Sequence, residues 1–168
     1  MQVRWRRGTQ IAVWGSHMYV SDLMQREVVT LEAADSLDLA DDIMRLGRIR
    51  HMPVVSGGQL VGILSQRDLF RAAVSSAMKM HRAAEREWLA KISVRDVMTG
   101  NVLTVAPGAP LGAAVQLMLD RRIGCLPVVD AGRLVGLLSE SDCLRHLARL
   151  LDISEAKNRL PELPEEST

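Results

Sequence analysis

Apolar and polar positions follow the same order twice along this chain. Residues 52–55 form a short apolar run, Gly57-Gly58 predicts a tight turn, and residues 60–64 form a second apolar run. Two apolar runs joined by a short glycine-containing turn are typical of a β-hairpin. Shifting the chain by 74 residues brings the same pattern back over residues 126–138. The sequence is therefore built from two copies of one unit.

Each copy surrounds its hairpin with one further strand and two helices. In the first copy the β-branched run at residues 28–31 predicts the strand. The next helix, capped by Asp35 or Ser36, is predicted from apolar residues that share one face: Leu37, Ala40, Ile43, Met44 and Gly47. The second copy repeats this face with Leu111, Ala114, Leu117 and Met118. The predicted fold class is α/β (α+β), with two βαββα units that pack on each other because one unit alone buries too little surface.

A helix is predicted after each hairpin, and it begins at a Ser that is followed three residues later by an Asp. The pairs are Ser65 with Asp68 and Ser139 with Asp142. This spacing is typical of a capping box at the start of a helix. In the first copy the helical pattern continues through residues 69–92 without Gly or Pro, which predicts a long inter-repeat helix or two bent pieces. Its apolar face indicates either packing on its own chain or a partner surface.

Composition and charge exclude several classes of partner. The chain is 48% apolar, which is enough for a packed core, and its net charge of +1 is too small to predict binding to nucleic acid or to a membrane surface. No apolar stretch approaches the length of a membrane span, and no secretory signal is visible. Cys125 and Cys143 show no CxxC spacing. We therefore expect free thiols and a cytoplasmic protein.

The two ends of the chain match neither repeat. Residues 1–18 are basic, and Gly15-Ser16-His17-Met18 resembles a cloning junction, which favours a non-native segment over a nucleic-acid-binding arm. Residues 153–168 are acidic and contain two Pro, which predicts a disordered tail. The predicted domains between these ends are a first repeat over residues 19–76, a linker helix over 77–93 and a second repeat over 94–152.

The sequence does not predict an enzyme. Its four histidines are scattered without metal-ligand spacing, and it contains no G-x-S-x-G, H-E-x-x-H or P-loop motif. A triad of Ser65, His51 and Asp68 is disfavoured because Cys125 replaces His51 in the second copy. We therefore expect no catalytic residue, no metal and no required cofactor.

The repeated motifs resemble those of a tandem pair of CBS (cystathionine β-synthase) domains, also called a Bateman module. They are an x-D-x-M turn ending at Met24, a V-x-T strand ending at Thr30, the h-P-V-V run at residues 52–55, and G-h-h-S-x-x-D ending at Asp68. Each motif returns in the second copy, and the resemblance covers roughly residues 19–152. It implies two three-stranded sheets packed about a pseudo-twofold axis. It also implies a homodimer that regulates another, unidentified protein.

The same resemblance implies an adenosyl ligand, either an adenine nucleotide (AMP, ADP or ATP) or S-adenosylmethionine, bound between the two units. In this family the Ser of the last motif contacts phosphate and its Asp bonds the ribose hydroxyls, which implies Ser65, Asp68, Ser139 and Asp142 here. The remaining implied site residues are Thr30, Thr104, Met52, Pro53, Val54, Leu126, Pro127 and Val128 around the base, with Arg50 and Arg67 adding positive charge beside the first motif.

Two alternatives stay open at the level of sequence. The Ser-x-x-Asp pairs can cap their helices without binding a ligand, and the repeat pair can be a nucleotide-independent dimerisation scaffold. Chemistry favours a ligand, because a helix N-terminus attracts phosphate and an ionised Asp can accept two hydrogen bonds from a ribose diol. Charge predicts tighter binding of an anionic ligand at the first motif, because Glu140 lies beside the second.

Overall fold

The computed structural model describes residues 18–77 and 88–151, and it contains the two predicted βαββα-like units. The first unit consists of β1 (Leu31–Glu32), α1 (Leu37–Gly47), β2 (His51–Ser56), β3 (Gln59–Ser65) and α2 (Gln66–Ala77). The second consists of α3 (Val94–Val97), α4 (Leu111–Arg121), β4 (Cys125–Asp130), β5 (Arg133–Ser139) and α5 (Glu140–Leu150). A short 3-10 turn at Val20–Asp22 precedes the first unit. The predicted mixed α/β fold class is confirmed.

Both units pair their strands in the same register. In the first, β1 runs parallel to β2, and β2 runs antiparallel to β3 with a register shift between Val54 and Val55. In the second, β4 and β5 form the same hairpin, and a single parallel bridge from Val105 to Val128 takes the place of β1. Both hairpins turn through two residues of positive φ, as a two-residue type I′ turn requires.

Each unit has its own apolar core, built from aliphatic side chains and Met. The first core contains Leu31, Ala33, Leu37, Ala40, Met44, Met52, Val54, Leu64, Leu69 and Val94. The second contains Val20, Met24, Ala114, Met118, Leu126, Val128 and Leu138. The helix faces predicted from Leu37, Ala40 and Met44 are therefore the faces that are buried.

The two units exchange the segments that precede them. Val20 and Met24 come before the first unit but lie in the core of the second, whereas Val94 comes before the second unit and lies in the core of the first. Backbone hydrogen bonds fix the exchange, because Gln25 pairs with Leu137 on the free edge of β5 and Thr99 pairs with Ile63 on the free edge of β3. The sequence pattern places residues 20–24 with the repeat that follows them, since periodicity carries no information about contacts between distant segments.

Several predictions fall on residues outside the described part of the chain. Helix α2 ends at Ala77, so the long inter-repeat helix is not confirmed, and residues 78–87 lie outside the described residues. The same holds for residues 1–17 and 152–168, where the basic segment and the disordered tail are predicted. Among the helices of the described residues, none is long and apolar enough to cross a membrane.

Candidate functional site

A cleft of about 830 Å³ lies between the two units. This volume is in the range of small-molecule sites in proteins. The first unit contributes the start of β2 and the junction of β3 with α2, and the second unit contributes the segment after α3 and the turn between α4 and β4. The lining residues include Arg50, His51, Ile63, Ser65, Arg67, Asp68, Phe70 and Arg71 from the first unit, and Thr99, Asn101, Val102, Leu103, Arg122, Ile123, Gly124, Cys125 and Glu140 from the second.

Ser65 and Asp68 cap the N-terminus of α2, and both line the cleft. The Ser65 backbone N–H donates to Asp68 Oδ2 over 3.0 Å, and the Ser65 hydroxyl donates to the same oxygen. The Asp68 backbone N–H donates back to Ser65 Oγ over 3.3 Å. The capping box is therefore formed, and it occupies only one carboxylate oxygen. Within residues 18–77 and 88–151, no group donates to Asp68 Oδ1.

Positive charge predominates along the walls of the cleft. Its charged lining residues are Arg50, Arg67, Arg71 and Arg122 against Asp68 and Glu140. Arg50 also spans the two units, because its guanidinium donates to Ser141 Oγ at the start of α5 over 2.7 Å. Four guanidinium groups against two carboxylates favour an anionic ligand, and Arg is the side chain best suited to phosphate.

The lining of the cleft also contains apolar side chains. They are Ile63, Val102, Leu103 and Ile123, and Leu103 keeps 41% of its surface exposed. Such side chains give a flat ring a surface on which to pack. The cleft therefore combines apolar side chains with an open carboxylate and a cluster of cations.

His51 and Cys125 lie where the two units meet in the cleft. Burial lowers the pKa of His51 below its usual 6.5, and the neighbouring Arg50 lowers it further, while Glu140 and Asp68 oppose this shift. Burial, and to a smaller extent Glu140, raises the pKa of the Cys125 thiol to about 12. His51 is therefore neutral near pH 7, and Cys125 is a protonated thiol.

Gly124 leaves room for the His51 ring. A Cβ atom at this position would lie 2.9 Å from His51 Cε1 and 3.1 Å from Nε2. Any larger residue would push the imidazole away, since non-bonded carbon atoms pack at about 3.5–4.0 Å. The absence of a side chain at Gly124 thus helps to shape this wall of the cleft.

The second Ser-x-x-Asp pair forms the same capping box at the start of α5. The Ser139 backbone N–H and hydroxyl donate to Asp142 Oδ2 over 3.0 and 2.6 Å. Here the other carboxylate oxygen is also occupied, because Gln25 Nε2 and Arg145 donate to Asp142 Oδ1 over 2.9 and 3.1 Å. Asp142 is only 4% exposed.

The structure brings some of the predicted site residues together and separates others. Arg50, Ser65, Arg67 and Asp68 line the cleft. Six predicted residues from the hairpin strands are buried instead: Met52, Pro53, Val54, Leu126, Pro127 and Val128. The lining does not include Thr30 or Thr104, whose side chains are exposed elsewhere. Strand side chains alternate between the two sides of a sheet. Met52, Val54, Leu126 and Val128 lie in the two cores, whereas Pro53 and Pro127 are buried but belong to neither core.

Sequence analysis places a ligand between the two units but does not name the residues that the second unit contributes, which are Thr99, Asn101, Val102, Leu103 and residues 122–125. A signal was present in the repeat itself: Arg122 matches Arg48 at the end of the first helix in each copy. The sequence does not show which segment of one copy lies beside the Ser-x-x-Asp motif of the other, because this depends on the exchange of segments between the units. No group of three or more His, Cys, Asp or Glu side chains in residues 18–77 and 88–151 is placed to hold a metal ion.

Comparison with known proteins identifies the family. Residues 20–75 and 94–149 each match the family model for the CBS domain, so the chain belongs to the CBS domain family and carries a tandem pair. A CBS domain-containing protein of Dictyostelium discoideum is 33% identical over 135 residues, which cover 79% of this chain and 93% of the relative. Homoserine O-acetyltransferase of Methanohalobium evestigatum is 32% identical over 132 residues. That match covers 77% of this chain but only 24% of the enzyme.

Solved structures show the same fold. The CBS domain pair of protein MJ0100, crystallised with 5′-methylthioadenosine and S-adenosyl-L-methionine, matches with a TM-score of 0.69 and 26% identity, covering 80% of this chain and 99% of that one. The protein CBSX2 in complex with AMP matches with a TM-score of 0.65 and 26% identity, covering 79% of this chain and 98% of that one. The predicted resemblance to a CBS domain pair is confirmed.

Proposed function

We propose that this protein is a regulatory CBS pair that binds an adenosyl ligand in the cleft beside Asp68 and signals to a partner protein. The observation that carries the proposal is the open Asp68 Oδ1, which lies in a cleft that is also lined by four arginines and by apolar side chains. A ribose diol has two hydroxyl donors for that oxygen, an adenine ring can pack on the apolar side chains, and a phosphate can reach the arginines.

Among adenosyl ligands, the arginines favour one that carries phosphate. The Ser65 hydroxyl proton is already donated to Asp68, so Arg50, Arg67, Arg71 and Arg122 are the groups best placed to bind an anion. The similar structures support both ligand types, since one contains AMP and the other S-adenosyl-L-methionine with 5′-methylthioadenosine. We therefore expect AMP, ADP or ATP to bind more tightly than S-adenosylmethionine.

Calorimetric titration tests the proposal with AMP, and with adenosine as the uncharged comparison. Asp68→Ala should weaken AMP binding roughly 10- to 100-fold, because a hydrogen bond to a charged group is worth about 1.5–3 kcal/mol. Asp96→Ala is the matched control, since Asp96 forms the same capping box with Ser93 but lies outside the cleft lining. Both variants lose a helix cap worth about 1 kcal/mol, but only Asp68→Ala should lose affinity. Equal AMP affinity in the two variants would mean that Asp68 only caps its helix and does not bind the ligand.

The regulatory part of the proposal includes a homodimer. Large apolar side chains stand exposed on four helices or at their ends: Leu39, Leu46, Phe70, Leu119, Leu144, Leu147, Leu150 and Leu151. Among them, Phe70 and Leu144 occupy equivalent positions of the two copies. Exposed apolar side chains in this number suit burial against a second copy of the chain.

The same exposed leucines support the second candidate function, a dimerisation scaffold that binds no nucleotide. The AMP titration separates the two, because a scaffold would show no heat of binding. We also propose a cytoplasmic location, since Cys125 and Cys143 are both free and such thiols fit a reducing compartment.

A further inference from the structure

We infer that the chain binds one adenosyl ligand and not two, because Gln25 and Arg145 seal the second Ser-x-x-Asp motif. This inference rests on the function proposed above and adds its stoichiometry. The two motifs have the same capping geometry, so the difference between them lies in what reaches the remaining carboxylate oxygen.

The two carboxylates differ in how many further hydrogen bonds they can accept. An ionised carboxylate has about four lone-pair sites. Asp142 receives four donors: the backbone N–H and hydroxyl of Ser139, the amide of Gln25 and the guanidinium of Arg145. Within the described part of the chain Asp68 receives two donors, both from Ser65. Only Asp68 has capacity left for the two hydroxyls of a ribose.

The exchange of segments explains why Gln25 is where it is. Gln25 forms two backbone hydrogen bonds of 2.9 Å with Leu137, and at the equivalent position of the other unit Thr99 bonds Ile63 over 2.9 and 3.0 Å. The two backbones therefore hold residues 25 and 99 in matching places beside Asp142 and Asp68. Side-chain length makes the difference, because Gln25 reaches Asp142 and no hydrogen bond joins Thr99 to Asp68 in the described residues.

Arg145 and Arg71 also occupy equivalent positions but make different contacts with the Asp of their motif. Each lies three residues after the Asp of its motif. Arg145 forms an ion pair with Asp142 over 3.1 Å, and the Asp142 side chain is left 5% exposed. Arg71 lines the open cleft, and no ion pair between Arg71 and Asp68 is present among the described residues. A ligand at the second motif would have to displace two donors from a buried carboxylate, whereas one at the first would displace none.

Substitutions at Gln25 and at its equivalent, Thr99, test the inference. With AMP as the probe, titration of the wild type should give one site per chain. Thr99→Gln copies the seal onto the first motif and should weaken AMP binding roughly 10- to 100-fold. Gln25→Thr combined with Arg145→Ala should raise the stoichiometry to two. Melting temperatures of all variants show whether they remain folded. If the double variant does not fold, Gln25→Thr alone is titrated in its place, because Gln25 is exposed and its substitution should not unfold the chain.

The outcomes separate the two proposals. Two sites in the wild type, or AMP affinity unchanged in folded Thr99→Gln, would overturn the inference and leave the proposed function standing. A folded opened variant that still binds one AMP would also overturn it. A wild type that binds neither AMP, ATP nor S-adenosylmethionine would overturn the proposed function itself.

Discussion

Two arginines adopt a left-handed backbone conformation at the ends of equivalent helices. Arg48 has φ of 51° after α1, and Arg122 has φ of 53° after α4. Gly is the usual residue in this position, because a side chain there costs roughly 1–2 kcal/mol. Arg122 lines the cleft, whereas Arg48 does not. The conformation ends both helices, so it does not distinguish the two arginines, and only the position of Arg122 in the cleft predicts a role in binding.

Replacing either arginine by Gly should therefore change the stability of the fold in the same way, but only the change at Arg122 should affect ligand binding. Both Arg48→Gly and Arg122→Gly should raise the free energy of unfolding by about 0.5–1 kcal/mol, after allowing for the greater freedom of Gly in the unfolded chain. Arg122→Gly should also weaken AMP binding roughly tenfold, while Arg48→Gly leaves it unchanged. Urea unfolding and calorimetric titration measure the two effects. Unchanged affinity in Arg122→Gly would mean that this guanidinium does not contact the ligand.

His51 gives the stability of the protein a dependence on pH. Burial and Arg50, with a smaller contribution from Arg67, hold its pKa below 6.5 in the folded state, against Glu140 and Asp68. As the pH falls below 6.5, the unfolded chain binds a proton at this position before the folded chain does. The stabilisation is therefore complete above pH 6.5 and is lost as the pH falls towards the folded pKa.

The corresponding test compares the wild type with His51→Asn, which cannot titrate. Between pH 7.5 and 5.5 the urea midpoint of the wild type should fall by more than that of the variant. Parallel curves for the two proteins would contradict the lowered pKa.

Contacts between strands and the exchanged segments hold the two units together. Met24 packs on Gly136 of β5, where an added Cβ would lie 2.7 Å from Met24 Sδ and 2.9 Å from the Gln25 carbonyl oxygen. The equivalent pair is Met98 on Gly62 of β3. The sequence repeats both Met and Gly, and the structure explains why: each Gly makes room for the Met of the opposite segment.

Gly136→Ala should accordingly destabilise the fold by roughly 1–3 kcal/mol, because the backbone oxygen of Gln25 cannot move as easily as a side chain. Gly112→Ala is the control. Gly112 lies in α4 with no atom within 4 Å of an added Cβ, so this change should stabilise by about 0.5–1 kcal/mol. Thermal unfolding of both variants measures the difference, and a Gly136→Ala protein as stable as the wild type would show that the segment is loosely held.

Hairpins, helices and capping boxes are predictable from this sequence because their signals are local. The Gly57-Gly58 turn, the face of α1 and the Ser65–Asp68 box each depend on residues within a few positions of one another. The exchange of segments and the shape of the cleft depend on contacts between residues that are distant in the sequence, such as Ile63 with Thr99 and Gln25 with Asp142. One sequence read alone carries no signal for such pairs, so the motif residues of the site are predictable and their environment is not.

The exposed apolar side chains on the helices predict a homodimer. Light scattering at micromolar concentration should give about twice the chain mass of 18.5 kDa. Leu46→Glu on α1 or Leu119→Glu on α4 should shift the mass towards one chain, because both leucines are more than 60% exposed and a buried charge is unfavourable in an interface. Arg133→Glu, which is exposed on a hairpin, should leave the dimer intact. A wild-type mass of one chain would contradict the homodimer.

The exchanged segments also bear on how such a protein can arise by gene duplication. In a chain with a single copy, the leading segment would have no other unit to pack on, and the core would lack the apolar side chains that the other segment supplies here. A second molecule of the same chain could supply both, so an ancestral form with this arrangement would be a pair of identical chains, each lending its leading segment to the other. Joining two such genes would turn that exchange into the one seen here. It would also allow the two copies to diverge, as Gln25 and Thr99 have done.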